Sequence, residues 1–187
     1  SNFLTPFKLK RIDSSAENCR AAFARAGKAV TIEPARTDSP QCSKQDTIKL
    51  ASLSTATLNL EETRCAIAAR LFMWEHNILQ PAASKYFGEP VTEILHFGSY
   101  SCRNIRGSSA TSEHATANAF DISGFRLRSG KLVTLKQQWQ GSQPPAQFLR
   151  EVRDGACDYF NLVLSPDYNT DHHDHLHVDM GWYRSCR

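Results

Sequence analysis

Residues 171–180 read DHHDHLHVDM, which gathers four of the chain's seven histidines and three of its aspartates within ten positions. Imidazole and carboxylate are the side chains that a divalent transition ion prefers, and packing offers no other reason to cluster them. A solvated loop that happens to be rich in histidine is the bland alternative. The residues at the end of the stretch weaken that alternative. Read as a strand, HLHVD turns His175, His177 and Asp179 to one side and Leu176 and Val178 to the other. Two histidines on one face can approach a single ion, while the apolar opposite face marks a strand that packs.

A second half of such a site lies upstream, in SEHATANAFDI at 112–122. On one straight strand His114 and Asp121 would stand roughly 23 Å apart, far too much for one ion. The chain must therefore turn between them, and the small residues Ala115, Thr116, Ala117 and Asn118 permit it. A strand aspartate without a partner would cost several kcal/mol if buried, so Asp121 is poorly explained as core.

The spaced motifs resemble a known group. SxHxxxxAxD followed distally by HxH is similar to the zinc peptidases that include D-Ala-D-Ala carboxypeptidases, lysostaphin-like endopeptidases and the hedgehog signalling domain. More closely, GSYSCRN, SEHATANAFDI, FLREVRDGAC and PDYNTDHHDHLHVDM together resemble the extensin-like C-terminal domain family, from about Cys19 to Arg187. The resemblance implies that His114, Asp121 and His177 bind zinc and that His175 stands beside the metal as a catalytic side chain. In the carboxypeptidases the position of Ala117 is usually Gly, so the turn after His114 is made here without that freedom. They also carry a glutamate base where this chain has Asp174, which makes His175 the first choice of base and Asp174 the second. GSYSCRN points by the same likeness to Arg103 as the partner of a developing oxyanion, with Arg106 as a substitute.

Three protein ligands would leave a fourth position on zinc for water, whose pKa the ion lowers to about 7. The resulting expectation is a zinc-dependent peptidase acting on the peptide of bacterial cell-wall peptidoglycan. The alternative is a closed site, in which His175 is a fourth ligand and the domain is a zinc-stabilised module that binds cell wall or protein without cleaving it. Other conspicuous residues carry plainer readings. His172 and His173 are expected in the loop before the strand, exposed or in supporting roles, and Asp179 either orients a ligand histidine or accepts a backbone bond. His76 and His96 read as structural histidines, Leu71, Phe72 and Trp74 as core, and Trp139 and Trp182 as packed aromatics that could also line a groove.

The elements that must position these residues read as a single α+β domain over 1–187, with 1–18 an N-terminal extension and a mainly antiparallel sheet carrying the site. Helices are expected over 14–27 and 144–157. A long one spans 59–88, with Asn59 as N-cap, apolar positions 67, 71, 74 and 78 on one face, and a break at Pro81. KAVTIEP, DTIKLASLSTATL, VTEILHFG, NAFDISGF, KLVTLKQQW, YFNLVLS and HLHVDMGW read as strands.

Composition bounds the rest. With 41% hydrophobic and 22% charged residues, the 187-residue chain has the make-up of a globular domain rather than a disordered or fibrous one. Net charge is +3 and the Lys and Arg are scattered, which argues against nucleic acid as a partner. No apolar stretch approaches the roughly 18 residues of a membrane span. SNFLTPFKLKR lacks a hydrophobic signal core, so if the native protein is exported its leader has already been removed. Six cysteines spread along the chain with no CxxC pair suggest three disulfides and a periplasmic or secreted location, with the pairing left open.

Overall fold

β7 (Ala119–Leu127) is the spine of the structure, because nearly every residue along it is buried and strands pair with both of its edges. In this computed structural model, which describes residues 10, 12 and 15–187, β6 (Val91–Gly98) lies antiparallel to it on one side. On its other side β10 (Leu176–Asp179) takes the first half and β8 (Leu132–Thr134) the second. The sheet extends in the order β1-β4-β5-β6-β7-β10-β9-β11, with β1 at Thr31–Ile32, β4 at Thr47–Ser52, β5 at Thr57–Arg64, β9 at Leu162–Leu164 and β11 at Ser185–Cys186. Among the described residues, only the β5–β6 and β9–β11 pairings are parallel. A separate hairpin is formed by β2 (Arg36–Ser39) and β3 (Cys42–Lys44), which the sequence reading did not anticipate. The architecture is a single α+β domain with a mainly antiparallel sheet. Most of the expected extension at 1–18 lies outside the described residues, and 16–18 already belong to a helix.

That helix, α1 (Ala16–Arg25), starts where Ser15 accepts a bond from the Asn18 amide and ends before Gly27, whose φ of 69° favours glycine. The expected long helix is shorter at its start. α2 begins at Cys65 and runs to Trp74, and residues 57–64 are strand instead. The reason is the local period: Leu58 and Leu60 are buried while Thr57, Asn59 and Glu61 are exposed, an alternation of two that outweighs the acidic residues read as a first turn. Asn59 is no cap; it sits in β5 with φ 49°, where the β4–β5 register shifts. Nor does Pro81 break the helix. A π-turn over Glu75–Leu79 shifts the ladder so that the Gln80 amide donates to the Glu75 carbonyl, and Pro81 falls in the first turn of α3 (Gln80–Phe87), where its missing N–H costs nothing.

DTIKLASLSTATL is two strands, β4 and β5, because the turn at 53–56 is gathered by the buried Glu75 carboxylate, which accepts from the amides of Ser54, Thr55 and Ala56 and from the Ser54 hydroxyl. KLVTLKQQW is β8 followed by a short helix, α4 (Leu135–Gln138), where Gln138 reaches back to the Thr134 amide. α5 (Pro144–Ala156) follows the expected range.

Trp74, Phe125 and Phe148 join helices to sheet, with Trp74 and Phe148 each in ring contact with Phe125 and Trp74 Nε1 donating to the Val152 carbonyl. Trp139 is buried as expected, with Nε1 donating to Asp167, whereas Trp182 is 91% exposed. Gly155 of α5 lies where a Cβ would stand 2.3 Å from Ile78, so the helix can approach the π-turn only with glycine there. Three disulfides, Cys19–Cys65, Cys42–Cys102 and Cys157–Cys186, tie α1 to α2, the β2–β3 hairpin to the loop after β6, and α5 to β11. Among the described residues no helix is long and apolar enough to cross a membrane.

Candidate metal centre

The site is delivered by strand register. β10 pairs with β7 so that His177 lies directly across from Asp121, while Leu176 faces Ile122 and Val178 faces Phe120. Side chains alternate, so the apolar pairs enter the core together and the imidazole and carboxylate emerge together on the other face. A slip of one residue would exchange the two sets. His114 arrives from a 3-10 turn, Glu113–Thr116, whose cap is the Ser112 hydroxyl accepting the His114 amide. The turn closes at Ala117, which takes the left-handed conformation with φ 55° and ψ 27°. The reversal required between His114 and Asp121 is thus made without glycine.

The three donors converge. His114 Nε2 lies 3.2 Å from His177 Nδ1 and 3.2 Å from Asp121 Oδ2, and His177 Nδ1 lies 2.9 Å from Asp121 Oδ1. Among the described residues, His114, Asp121 and His177 form the group whose donor atoms lie close enough together to hold one metal ion. Donors on a tetrahedral zinc with bonds of about 2.0–2.2 Å would stand roughly 3.4 Å apart, so this triangle fits such an ion with small adjustments.

The histidine nitrogens are assigned by their other partners. His114 Nδ1 is 2.6 Å from the Ser99 carbonyl, which can only accept, so Nδ1 carries the proton and Nε2 offers its lone pair to the site. Ser99 is itself clamped, its hydroxyl donating to the carbonyls of Ala117 and Ala119. His177 Nε2 is 2.9 Å from Asp179 Oδ2, and Asp179 Oδ1 accepts the Gly181 amide at 2.8 Å. Asp179 thus holds the His177 ring and accepts a backbone amide at the strand end at the same time.

Without a metal the two flanking carboxylates act on His177 together. Burial pushes the imidazole down, but the bonds to Asp121 and Asp179 outweigh it and raise its pKa to about 9. Burial likewise pushes Asp121 up, and the adjoining His114 and His177 overcome this and hold the carboxylate well below its ordinary range.

His175 precedes β10, with Nδ1 2.9 Å from Asp174 Oδ1 and Nε2 3.8 Å from Asp121 Oδ1. Asp174 thus orients His175, and His175 flanks the donor triangle. Arg103 is exposed; among the described residues its guanidinium bonds the Asn104 carbonyl at 3.5 Å and none of the site side chains. Arg106 pairs instead with Asp171 at 2.7 Å. His173 is exposed, but His172 is half-buried with its ring 5.0 Å from that of His175 and 6.1 Å from that of His177. Burial, with the neighbouring His175 and His177, lowers its pKa to about 4. Of the two histidines read as structural, His96 bonds the Leu58 carbonyl at 2.6 Å and His76 is exposed on the π-turn.

An α+β domain whose His–Asp–His cluster joins two adjacent antiparallel strands to a 3-10 turn is the class that fold and site define. The chain matches the family described as extensin-like protein C-terminus over residues 17–187, and it belongs to that family. Neither a curated protein nor a solved structure matches it.

Proposed function

We propose that this domain is a zinc-dependent peptidase that hydrolyses peptide bonds of bacterial cell-wall peptidoglycan. The observation that carries the reading is the triangle of His114 Nε2, Asp121 and His177 Nδ1, in which the second nitrogen of each histidine is already committed to another group. Two neutral imidazoles and a carboxylate are a donor set suited to zinc, and three protein ligands are typical of a catalytic rather than a structural zinc. Bound there, zinc would make a water acidic and polarise the carbonyl to be attacked. The choice of peptidoglycan rests on the likeness to the carboxypeptidases and lysostaphin-like enzymes, and on three disulfides, which fit a secreted or extracytoplasmic protein.

The chain's own groups supply the rest. Because His175 Nδ1–H is given to Asp174, Nε2 is the basic nitrogen, and it points toward the triangle. It can take a proton from the attacking water and pass it to the leaving amine. Asp174 then acts by holding the ring and stabilising its charged form. Ser99 and Asp179 hold the two ligand imidazoles in their tautomers. Arg103, whose carbonyl accepts the Ser112 amide beside the His114 turn, is the cation proposed to meet the oxyanion.

Purified peptidoglycan is incubated with zinc-loaded protein and with His175→Ala, and new amines are counted in the resolved fragments. Release by the unaltered protein alone, with both proteins holding about one zinc per chain, is the expected result. Loss of zinc from His175→Ala would make His175 a fourth ligand and the domain a zinc-stabilised binding module. Absence of new amines with wall binding intact would end the peptidase reading.

A further inference from the structure

We infer that Phe97, His175, His172 and Tyr168 form one wall of the site that receives an uncharged, apolar side chain of the substrate, an inference that rests on the peptidase reading. The four rings touch in sequence. Phe97 meets His175 edge-on at 5.8 Å, His175 lies 5.0 Å from His172, and His172 meets Tyr168 at 5.6 Å. The middle of the row abuts the donor triangle, through His175 Nε2 at 3.8 Å from Asp121 and the His172 ring at 6.1 Å from that of His177. Its two ends are open to solvent, with Phe97 61% and Tyr168 43% exposed.

Scattered exposed apolar residues are normal on protein surfaces, and Ile32 or Leu132 needs no explanation. Phe97 and Tyr168 differ because each packs on a histidine that flanks the same three donors. Phe97 lies where the β6–β7 register shifts, unpaired between His96 opposite Ile122 and Gly98 opposite Asp121, and its contact with His175 places the phenyl beside the site. A side chain lying against the wall would cover apolar surface at about 25 cal/mol per Å². The nearby ions do not invite a charged one, since Asp171 is paired with Arg106 and Asp174 with His175. A charged substrate group would have to compete with one of these pairs or give up water for a wall of ring faces, which costs more than laying an uncharged side chain there.

The test uses binding, so that it does not depend on turnover. N-acetylated glycine, leucine and aspartate hydroxamates, which chelate zinc directly, are titrated calorimetrically into the zinc-loaded protein. The leucine compound is expected to bind roughly tenfold more tightly than the glycine one, the scale set by a few methylenes in an apolar site, with aspartate no better than glycine. Phe97→Ala and Tyr168→Ala should each drive the leucine-to-glycine ratio toward one. Since both side chains are partly exposed, either variant alone is a sufficient test if the other fails to fold. The wall is overturned if the unaltered protein shows no leucine preference, if the preference survives in the variants, or if no hydroxamate binds. Peptidoglycan cleavage without the preference would overturn the wall and spare the peptidase; the preference without cleavage would do the reverse.

Discussion

His177 and Asp179, two residues apart on one face of β10, are joined through Nε2 and Oδ2 at 2.9 Å, and that bond turns Nδ1 of His177 toward Asp121 and His114. The carboxylate is anchored in turn by the Gly181 amide, so the ring has little freedom to rotate. Asp179→Ala removes the orienting partner without touching a donor atom. Zinc affinity should fall about 10- to 100-fold, the usual effect of losing such a support. Competition with a chelator of known affinity measures it, and unchanged affinity would show that packing alone sets the ring.

Metal binding should expel a proton. With its pKa raised to about 9, His177 holds a proton at neutral pH in the metal-free protein, and zinc must displace it from Nδ1. Asp121, held below its ordinary range, is ionised throughout and contributes none. Through His177 alone, affinity should therefore climb about tenfold per pH unit up to about 9, and ionisation of a zinc-bound water can only steepen that rise. Titration calorimetry in two buffers of different ionisation heat should count at least one proton released per zinc at pH 7. The same shift sets the stability of the metal-free protein: the charged His177 contributes fully below its ordinary value of 6.5, and that contribution is lost as pH rises through about 9. A metal-free melting temperature that rises over this interval would contradict the assignment.

The strand bearing His177 and Asp179 was legible because a period of two is visible in five residues, with Leu176 and Val178 marking the buried face. The need for a turn between His114 and Asp121 followed from chain length alone. What no side chain announces is the Ser99 carbonyl that fixes the tautomer of His114, because the atom doing it is backbone. His172 was hidden by its neighbours: in a run of histidines, the one turned inward by the Asn169 side chain is distinguished only by tertiary contact. Asp174 and His175 can each be read as the base from sequence, and that they are bonded to one another is visible only in the fold. The start of α2 was misread because Glu61 and Glu62 suit a first helical turn as well as the outer face of a strand. Cysteine pairing depends on which loops meet, which spacing does not encode.

The Cys42–Cys102 bond fastens the loop after β6 to the β2–β3 hairpin, close to where that loop turns toward His114. It closes a separation of 60 residues, so its loss should cost about 4 kcal/mol by the chain-entropy argument. Cys42→Ser with Cys102→Ser should lower stability by that order in urea titration. Hydrogen exchange should rise in residues 101–111, which are exposed and lean on this anchor. Intact mass with and without reduction should first show six masked thiols in the unaltered chain. Unchanged exchange in the double variant would mean that the Ser101–His114 and Ser112–Arg103 backbone bonds hold the loop by themselves.

Ala117 is the hinge on which the donors meet. Its φ of 55° costs an alanine roughly 1–2 kcal/mol relative to the right-handed region, a cost glycine avoids. The methyl is also fully buried, and removing it forfeits about 0.8 kcal/mol. These effects oppose each other, so Ala117→Gly should change stability by no more than about 1 kcal/mol, with zinc affinity retained. Ala117→Val combines a branched side chain with a left-handed backbone at a fully buried site. It should cost about 3 kcal/mol or more. The zinc affinity should fall with it, since the Ala117 carbonyl also takes the Arg64 amide and the Ser99 hydroxyl that hold the turn. Urea denaturation and zinc titration of the pair check this. A valine variant that folds and binds zinc like the unaltered protein would show that His114 and Asp121 can converge without the left-handed turn.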